Sequence, residues 1–428
     1  MYSIRPLVPL LTAAGILLAG NGVQGTLIAV RGAEEGFSAG LIGLMGTAYF
    51  GGFLLGCLYI ARILRNVGHI RTFSALAAIA SAVSLLLVLV PDGAMWLAVR
   101  FVTGFCFSGL FTTMESWLNS GVSNENRGRV LSVYRIIDIA AVTGSQYLIP
   151  AVGSGGFAIF AIVSMIITLS LVPVSIADRS NPKAPEEIEL DLPGVWRISP
   201  IAAIGCIAVG VTNSAFRMIG PIYVQDTGFN IAEVATFMSA GIVGGIVLQY
   251  PLGWLSDRWD RRHVLMLATA GAVLSALAIF FFAGSSLTLN LAGVLTFGAF
   301  AMPLYSLSAA HANDHAVKGN YVQVAAGLML FYSVGAMAGP PAAAWLMEAA
   351  GPRALFSFIA AVHASLLLAT AWRIMVRPPV PAHRRGRFTM LLRTSPVNAR
   401  IARAGASRDS DDNEQSTNPD DAAKDLTS

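Results

Sequence analysis

Twelve runs of membrane-helix length make up most of this chain, and no other feature limits its fold as severely. Windows 7–30, 39–61, 72–90, 95–118, 130–151, 157–176, 201–224, 232–255, 264–283, 287–308, 321–347 and 354–372 are predominantly apolar. About 20 such residues in an α-helix cross the hydrocarbon layer of a bilayer. Of the 428 residues, 55% are hydrophobic and 12% charged, with a mean hydropathy of +0.65. A soluble domain of that composition has too little polar surface to face water. The expected class is therefore an all-α polytopic membrane protein with twelve transmembrane helices. The first run stands where a signal peptide would. It is too long, lacks a convincing small-x-small cleavage site and is followed by eleven more runs, so it is expected to be the first helix.

The basic residues orient these spans. With the first residue inside, the inner loops carry Arg62, Arg65 and Arg71; Arg127 and Arg129; Arg179, Lys183 and Arg197; Arg258, Arg261 and Arg262; and Lys318. The outer loops hold only Arg31 and Arg353, so both termini are expected in the cytoplasm. The net charge of +4 mostly restates this asymmetry. Its basic residues are scattered over separate loops, and no nucleic-acid partner is expected. Cys57, Cys106 and Cys206 lie isolated inside apolar runs and suggest neither a disulfide framework nor a metal site.

An interruption rich in charge and proline, with Glu186, Glu187, Glu189 and Asp191, divides the runs into six and six. A repeat relates the two sets. Asn21 falls on Asn213 at a shift of 192, and Arg127-Gly128 falls on Lys318-Gly319 at 191. Gly144 and Pro150 fall on Gly335 and Pro341 at the same shift of 191. The expected organisation is a six-helix half over 1–176, a cytoplasmic linker over 177–200, a second half over 201–375 and a largely disordered cytoplasmic tail over 376–428. Arg373, Arg377, Arg384, Arg385, Arg387 and Arg393 form a basic stretch after the last span, suited to positive-inside flanking or to anionic headgroups.

Gly20 to Gly25 formally matches a dinucleotide fingerprint but has no preceding strand and sits mid-span. Close helix approach explains it better, as it does the G-x-x-x-G pairs Gly52 and Gly56, Gly241 and Gly245, and Gly335 and Gly339. The chain has no HExxH, nucleophile elbow or Walker loop. It is read as neither an enzyme nor an ATP-driven pump, and no cofactor is expected.

Between spans 8 and 9, Gly253 to Arg262 reads Gly-Trp-Leu-Ser-Asp-Arg-Trp-Asp-Arg-Arg. It resembles the G-x-L-x-D-R-x-G-R-R loop of the major facilitator superfamily, with Asp260 at one glycine position. Arg100 and Gly104 in span 4 resemble that family's R-x-x-x-G element, whose arginine faces a central cavity. Glu115-Ser116-Trp117-Leu118-Asn119, Arg127-Gly128-Arg129 and Ala312-Asn313-Asp314-His315 are similar to the YcaD-like bacterial transporters. The resemblance implies twelve helices in two pseudo-symmetric halves around one site in a bacterial inner membrane. Two departures stand out. Leu64 occupies the aspartate position of the first-half loop, which implies that its latch is absent. The G-x-x-x-G-P element of proton-antiporting drug exporters occurs at Gly335 to Pro340 in span 11 rather than in span 5, which weighs against drug export.

The resemblance also suggests a gate. Asp257 is expected to meet the start of span 5 near Gly128 to Val130, where free N–H groups favour a carboxylate, with Arg129, Arg258, Arg261 and Arg262 around it. A loop-local ion pair with Arg261 is the plainer reading. Within the spans, each charge costs about 2.5–3.5 kcal/mol near the midplane, so pairing or function should explain it. Glu115, Arg135 and Asp138 lie at similar depth on the hairpin of spans 4 and 5. They are expected to form two acids sharing one arginine, either a structural brace or a proton site with Asp138 as carrier. Spans 1, 4, 7 and 10 are the family's pore-lining set and supply Asn21, Gln24, Arg100, Asn213, Arg217 and Tyr305. The two arginines suit an anionic or carboxylated solute; the plainer reading, favoured for Arg217, is an arginine that snorkels or pairs. Gln146, Gln249, Tyr332 and His363 are weaker candidates, His363 as a packed or hydrogen-bonded core histidine.

The function expected is secondary active transport of a small solute by alternating access, coupled to protons, by a monomer in contact with membrane lipid. The alternatives are a drug or metabolite exporter on the same fold, or a membrane sensor or scaffold that has lost transport.

Overall fold

The computed structural model describes residues 7–120, 127–176, 191–316, 321–376 and Phe388, with side chains 119–120, 127–128 and 321–322 left aside. The first half runs through α1 (Val8–Glu34), α2 (Ala39–Val67), α3 (His69–Leu89), α4 (Gly93–Ser120), α5 (Arg127–Gln146), α6 (Leu148–Val152), α7 (Ala158–Leu169) and α8 (Leu171–Ile176). After a short linker helix α9 (Leu192–Ile198) come α10 (Pro200–Asp226), α11 (Ile231–Val247), α12 (Gln249–Arg258) and α13 (Arg261–Ala278). They are followed by α14 (Leu287–Ala301), α15 (Leu304–His315), α16 (Tyr321–Ala350) and α17 (Ala354–Val376). The acidic residues Glu186, Glu187 and Glu189 and the basic tail beyond Arg373 lie outside the described residues, apart from Phe388. Asp191 caps α9 by accepting from Gly194 N–H at 2.7 Å.

Local chemistry sets the helix ends. Ser38 caps α2 and Ser199 caps α10, while Asn230 and Glu233 form a reciprocal capping box on α11. Gly68 alone separates α2 from α3, and its φ of +89° is a conformation that side-chain-bearing residues avoid. Leu64, where the family pattern has aspartate, is buried just before that turn and packs in the core.

Among the described residues, eleven helical spans are long and apolar enough to cross a membrane. The remaining span is α5, which carries Ser132, Arg135, Asp138, Thr143, Ser145 and Gln146. Its polarity follows from its position, since Arg135, Asp138 and Gln146 all face the central cavity. Large apolar side chains such as Met375, Phe282 and Leu368 are 78%, 74% and 70% exposed, as a lipid-facing surface requires.

The two halves repeat one packing pattern. In the first, α1 packs on α5 and α7, α2 on α4, and α3 on α4 and α7; in the second, α10 packs on α16 and α17, α11 on α14, and α13 on α14 and α17. Glycines set the closeness of these seams. A Cβ on Gly52 would strike the carbonyl of Phe101, and one on Gly104 the carbonyl of Tyr49, so α2 and α4 meet backbone to backbone. Gly335 and Gly339 meet the α10 carbonyls of Ile207 and Val211 in the same way. Of the fingerprint-like glycines, Gly20 and Gly22 abut α7 and α5, whereas a Cβ on Gly25 would meet nothing within 4 Å.

Gly52→Val and Gly104→Val are expected to destabilise the fold by at least the ~1–3 kcal/mol typical of overpacking, because the added side chain meets backbone that cannot step aside. Gly25→Ala is expected to leave it unchanged. Thermal unfolding of the detergent-solubilised chain, with size-exclusion profiles, measures both.

Candidate functional site

A central cavity lies between the halves, walled by α1, α2, α4 and α5 on one side and by α10, α11, Met302 and α16 on the other. Asn21 and Asn213, related by the repeat, both line it. Arg100 also lines it and is 3% exposed. Its guanidinium lies 4.4 Å from the Tyr49 ring centroid and donates a long 3.4 Å hydrogen bond to Gln24 Oε1, while its Nε has no partner. Gln24 is itself buried behind this arginine and donates to Ser84 Oγ at 2.9 Å. Tyr49 donates to Asn21 Oδ1 at 2.9 Å, so one tyrosine links the arginine's π-face to the asparagine. Arg217 reaches the same cavity from α10 and is exposed there. Neither Arg100 nor Arg217 is salt-bridged to a carboxylate among the described residues.

Tyr305 stands one ring back from the wall, buried and edge-on to Tyr332 at 5.7 Å, and Tyr332 does line the cavity. Gln146 accepts from Thr26 at 2.6 Å and donates to the Gly22 carbonyl at 3.1 Å, fastening α5 to α1. His363 is fully buried against Phe297 with neither ring nitrogen hydrogen-bonded among the described residues, the packed one of the two roles expected for it. The sequence reading missed Tyr49, Phe50, Phe53 and Phe216, aromatic wall residues that look like ordinary span content until the helices are assembled.

The expected trio of charges is divided. Arg135 pairs with Asp138 at 2.6 Å, one helical turn apart on α5, and both line the cavity. Glu115 does not share that arginine. Its carboxylate is fully buried and accepts from the Tyr134 hydroxyl at 3.3 Å. Residues 135 and 138 point to the cavity while 134 points to α4, because successive helical residues diverge by about 100°. Equal depth along the hairpin did not give equal direction.

At the end carrying the 253–262 loop, the basic residues are pinned by separate partners. Arg261 is 2% exposed and donates to Asp314 Oδ2 at 2.6 Å and Ser256 Oγ at 3.0 Å, tying the loop to α15. It also lies 3.6 Å from Asp257, the loop-local pair considered above. Asp257 Oδ1 accepts from the Phe388 N–H at 2.6 Å. Arg258 stacks on Trp254 at 3.9 Å, and Arg129 is exposed at the start of α5. The surroundings of Gly128 lie outside the described residues. Asp260, at the family's glycine position, has a role of its own: it caps α13 by accepting from the Arg262 N–H at 3.0 Å and pairs with that arginine's guanidinium at 2.7 Å. Burial alone would raise the Asp260 carboxyl, but the hydrogen bonds and charge of Arg262 outweigh it and hold the group below its ordinary 3.8.

A lowered carboxyl stabilises the fold fully above its unfolded value and loses that contribution as pH falls through the folded value. Asp260→Ala is therefore expected to lower stability by about 1 kcal/mol at pH 7, as loss of a helix cap does. The gap should narrow below 3.8, measured by thermal unfolding across pH.

The halves touch chiefly at the opposite end. There Gly43 and Gly46 of α2 lie against Pro340 and Pro341, Thr47 donates to the Met337 carbonyl at 2.6 Å, and Gly40 N–H donates to Glu348 at 2.8 Å. At the Asp257 end a cleft separates α5 from α12; Arg135 and Ile139 line both cleft and cavity, so the cavity opens this way.

Solved structures share this arrangement. A variant of the nucleoside transporter NupG superposes with a TM-score of 0.74 at 10% identity, covering 87% of this chain and all of that one. A bacterial homologue of the human lysosomal transporter Spinster, inward-facing and occupied, gives 0.70 at 13% identity over 89% of this chain and 96% of that one. Curated relatives include the uncharacterized MFS-type transporter YcaD of Escherichia coli, 26% identical over 366 residues, 85% of this chain and 94% of the relative. The Major Facilitator Superfamily model matches residues 10–326 and 202–406. With twelve helices in two repeated halves around one cavity, the chain belongs to the Major Facilitator Superfamily of membrane transporters, alongside the YcaD-type proteins.

Proposed function

We propose that this protein moves a small organic anion across the bacterial inner membrane by alternating access, with both termini in the cytoplasm. One observation carries the reading. Arg100 from the first half, which is buried, and Arg217 from the second, which is exposed to the cavity, enter the same space with no salt bridge to a carboxylate among the described residues. A buried guanidinium without a counter-ion is costly, and an anionic solute bridging both halves supplies the missing charge with bidentate geometry. Aromatic faces of Tyr49, Phe50, Phe216 and Tyr332 give the remainder of such a solute an apolar surface.

The Arg135–Asp138 pair is the proposed coupling element. At rest Arg135 neutralises Asp138. A solute anion that reaches Arg135 competes with the carboxylate, and the released Asp138 is then free to exchange a proton with the cavity. Glu115, turned toward Tyr134, has a structural part in this scheme. The structure is open toward the Asp257 end, which is the cytoplasmic end under the proposed orientation. Closing it would bring Asp257 toward the start of α5.

The test is a ligand-stabilisation screen on the purified protein at pH 5.5 and 7.5, followed by counterflow in proteoliposomes. Small carboxylates should raise the melting temperature by mass action. Arg100→Ala or Arg217→Ala should weaken them roughly tenfold or more, the loss of one charge-assisted bond of about 1.5–3 kcal/mol. Stabilisation confined to lipophilic cations would overturn the anion reading in favour of drug export. Asp138→Asn should keep binding and counterflow while abolishing accumulation driven by a pH gradient; accumulation at the parental level would remove Asp138 from the coupling role.

A further inference from the structure

The walls of the central cavity carry unequal charge, and the inequality has a definite size. Among the described residues its lining holds three arginines, Arg100, Arg135 and Arg217, against one acid, Asp138. That acid is already paired with Arg135 at 2.6 Å. Glu115, the other acid of the α4–α5 hairpin, is turned toward Tyr134 and does not line the cavity. Two positive charges are left over, one from α4 in the first half and one from α10 in the second. Arg217 lies within electrostatic reach of both Arg100 and Tyr49, so the two guanidinium groups repel each other. Arg100 has one face against the Tyr49 ring and an Nε without a partner. Asn213 stands one helical turn before Arg217 and lines the same cavity.

We propose that the solute is a dianion, with one negative charge for Arg100 and one for Arg217. The inference rests on the anion reading above and adds to it the number of charges. In the open state Arg217 is exposed and accessible to solvent. Closing the halves around a solute removes that solvent, and an unpaired charge taken out of water carries a heavy desolvation cost. A monoanion held between the two arginines leaves one such charge in the closed cavity. A dianion leaves none, and it also relieves the repulsion between the guanidinium groups. Dicarboxylates and phosphate monoesters both meet this requirement, since each presents forked acceptor oxygens to the guanidinium donors. The Asn213 amide, on the face of α10 that carries Arg217, offers a neutral donor and acceptor beside them. The rings of Tyr49, Phe50 and Tyr332 favour a flat apolar body between the charges.

The experiment compares ligands that differ by one charge, on the purified full chain. 1,4-Phenylenediacetate is set against its monomethyl ester, and phenyl phosphate against methyl phenyl phosphate, in thermal-stabilisation titrations at pH 7.5. At least one dianion should bind roughly tenfold or more tightly than its ester, the gain of one further charge-assisted bond. Arg217→Gln should bring that ratio close to unity, and Arg217→Lys should keep most of it. Repeating the titrations at pH 5.5 separates the two sources of charge. Phosphate monoesters lose their second charge at about pH 6, whereas carboxyl groups ionise at about pH 4. A preference for phenyl phosphate should therefore fall at pH 5.5, while a preference for 1,4-phenylenediacetate should persist. Equal binding of each dianion and its ester, with Arg100→Ala still weakening both, would overturn the dianion inference and leave the anion reading standing. Stabilisation by none of the four ligands would overturn both.

Discussion

Inside a bilayer a helix satisfies its own backbone and gains little from pressing apolar faces together, since lipid is equally apolar. What holds this protein together is therefore the closeness with which its helices can approach, and α2 is the helix on which most of that depends. One of its faces meets α4 backbone to backbone through Gly52 and Gly104, which fixes the first half. Another face meets α16 through Gly43 and Gly46 against Pro340 and Pro341, which joins the halves. The α11–α14 seam, where a Cβ on Gly244 would strike the Leu295 carbonyl and one on Gly298 that of Gly241, is the counterpart of the α2–α4 seam in the second half. Where these glycine seams stop, the halves separate, and the cavity is the space that remains.

That space explains the distribution of charge. Most buried or partly buried charges have a protein partner: Arg135 with Asp138, Arg261 with Asp314, Arg262 with Asp260. Among the described residues, buried Arg100 is the exception in the cavity, held by Tyr49 and Gln24 without a carboxylate, and Arg217 enters the same space exposed and without a salt bridge. Under the proposed function, the structural charges are matched by the fold and the cavity arginines are left for the solute to match. The same contrast separates the two carboxylates of the α4–α5 hairpin. Asp138 faces the cavity with Arg135, and Glu115 is enclosed beside Tyr134.

The loop at 253–262 shows one motif performing several separate tasks. Arg261 ties it to α15, Asp260 caps α13, and Asp257 is left partly exposed at the mouth of the cleft. The substitution of aspartate for the usual glycine at 260 is thus compensated locally, by a cap and an ion pair. Asp257, paired with Arg261, is the carboxylate of this loop that lines the cleft between the halves.

Much of this architecture was legible before any coordinates. The apolar runs, the break near 177–200 and the offset near 191 residues led to twelve helices in two halves, because hydrophobic length and periodicity are properties of the chain itself. Arg100, Arg217, Asn21 and Asn213 were expected in the cavity because the resemblance makes spans 1, 4 and 7 pore-lining, and all four line it. Two things were decided only by the tertiary structure: the direction in which Glu115 points and the retreat of Tyr305 behind Tyr332. Depth along a helix can be counted from a sequence. The azimuth of a side chain against its neighbours, and contacts between segments far apart in the chain, depend on how closely the glycine seams let the helices approach.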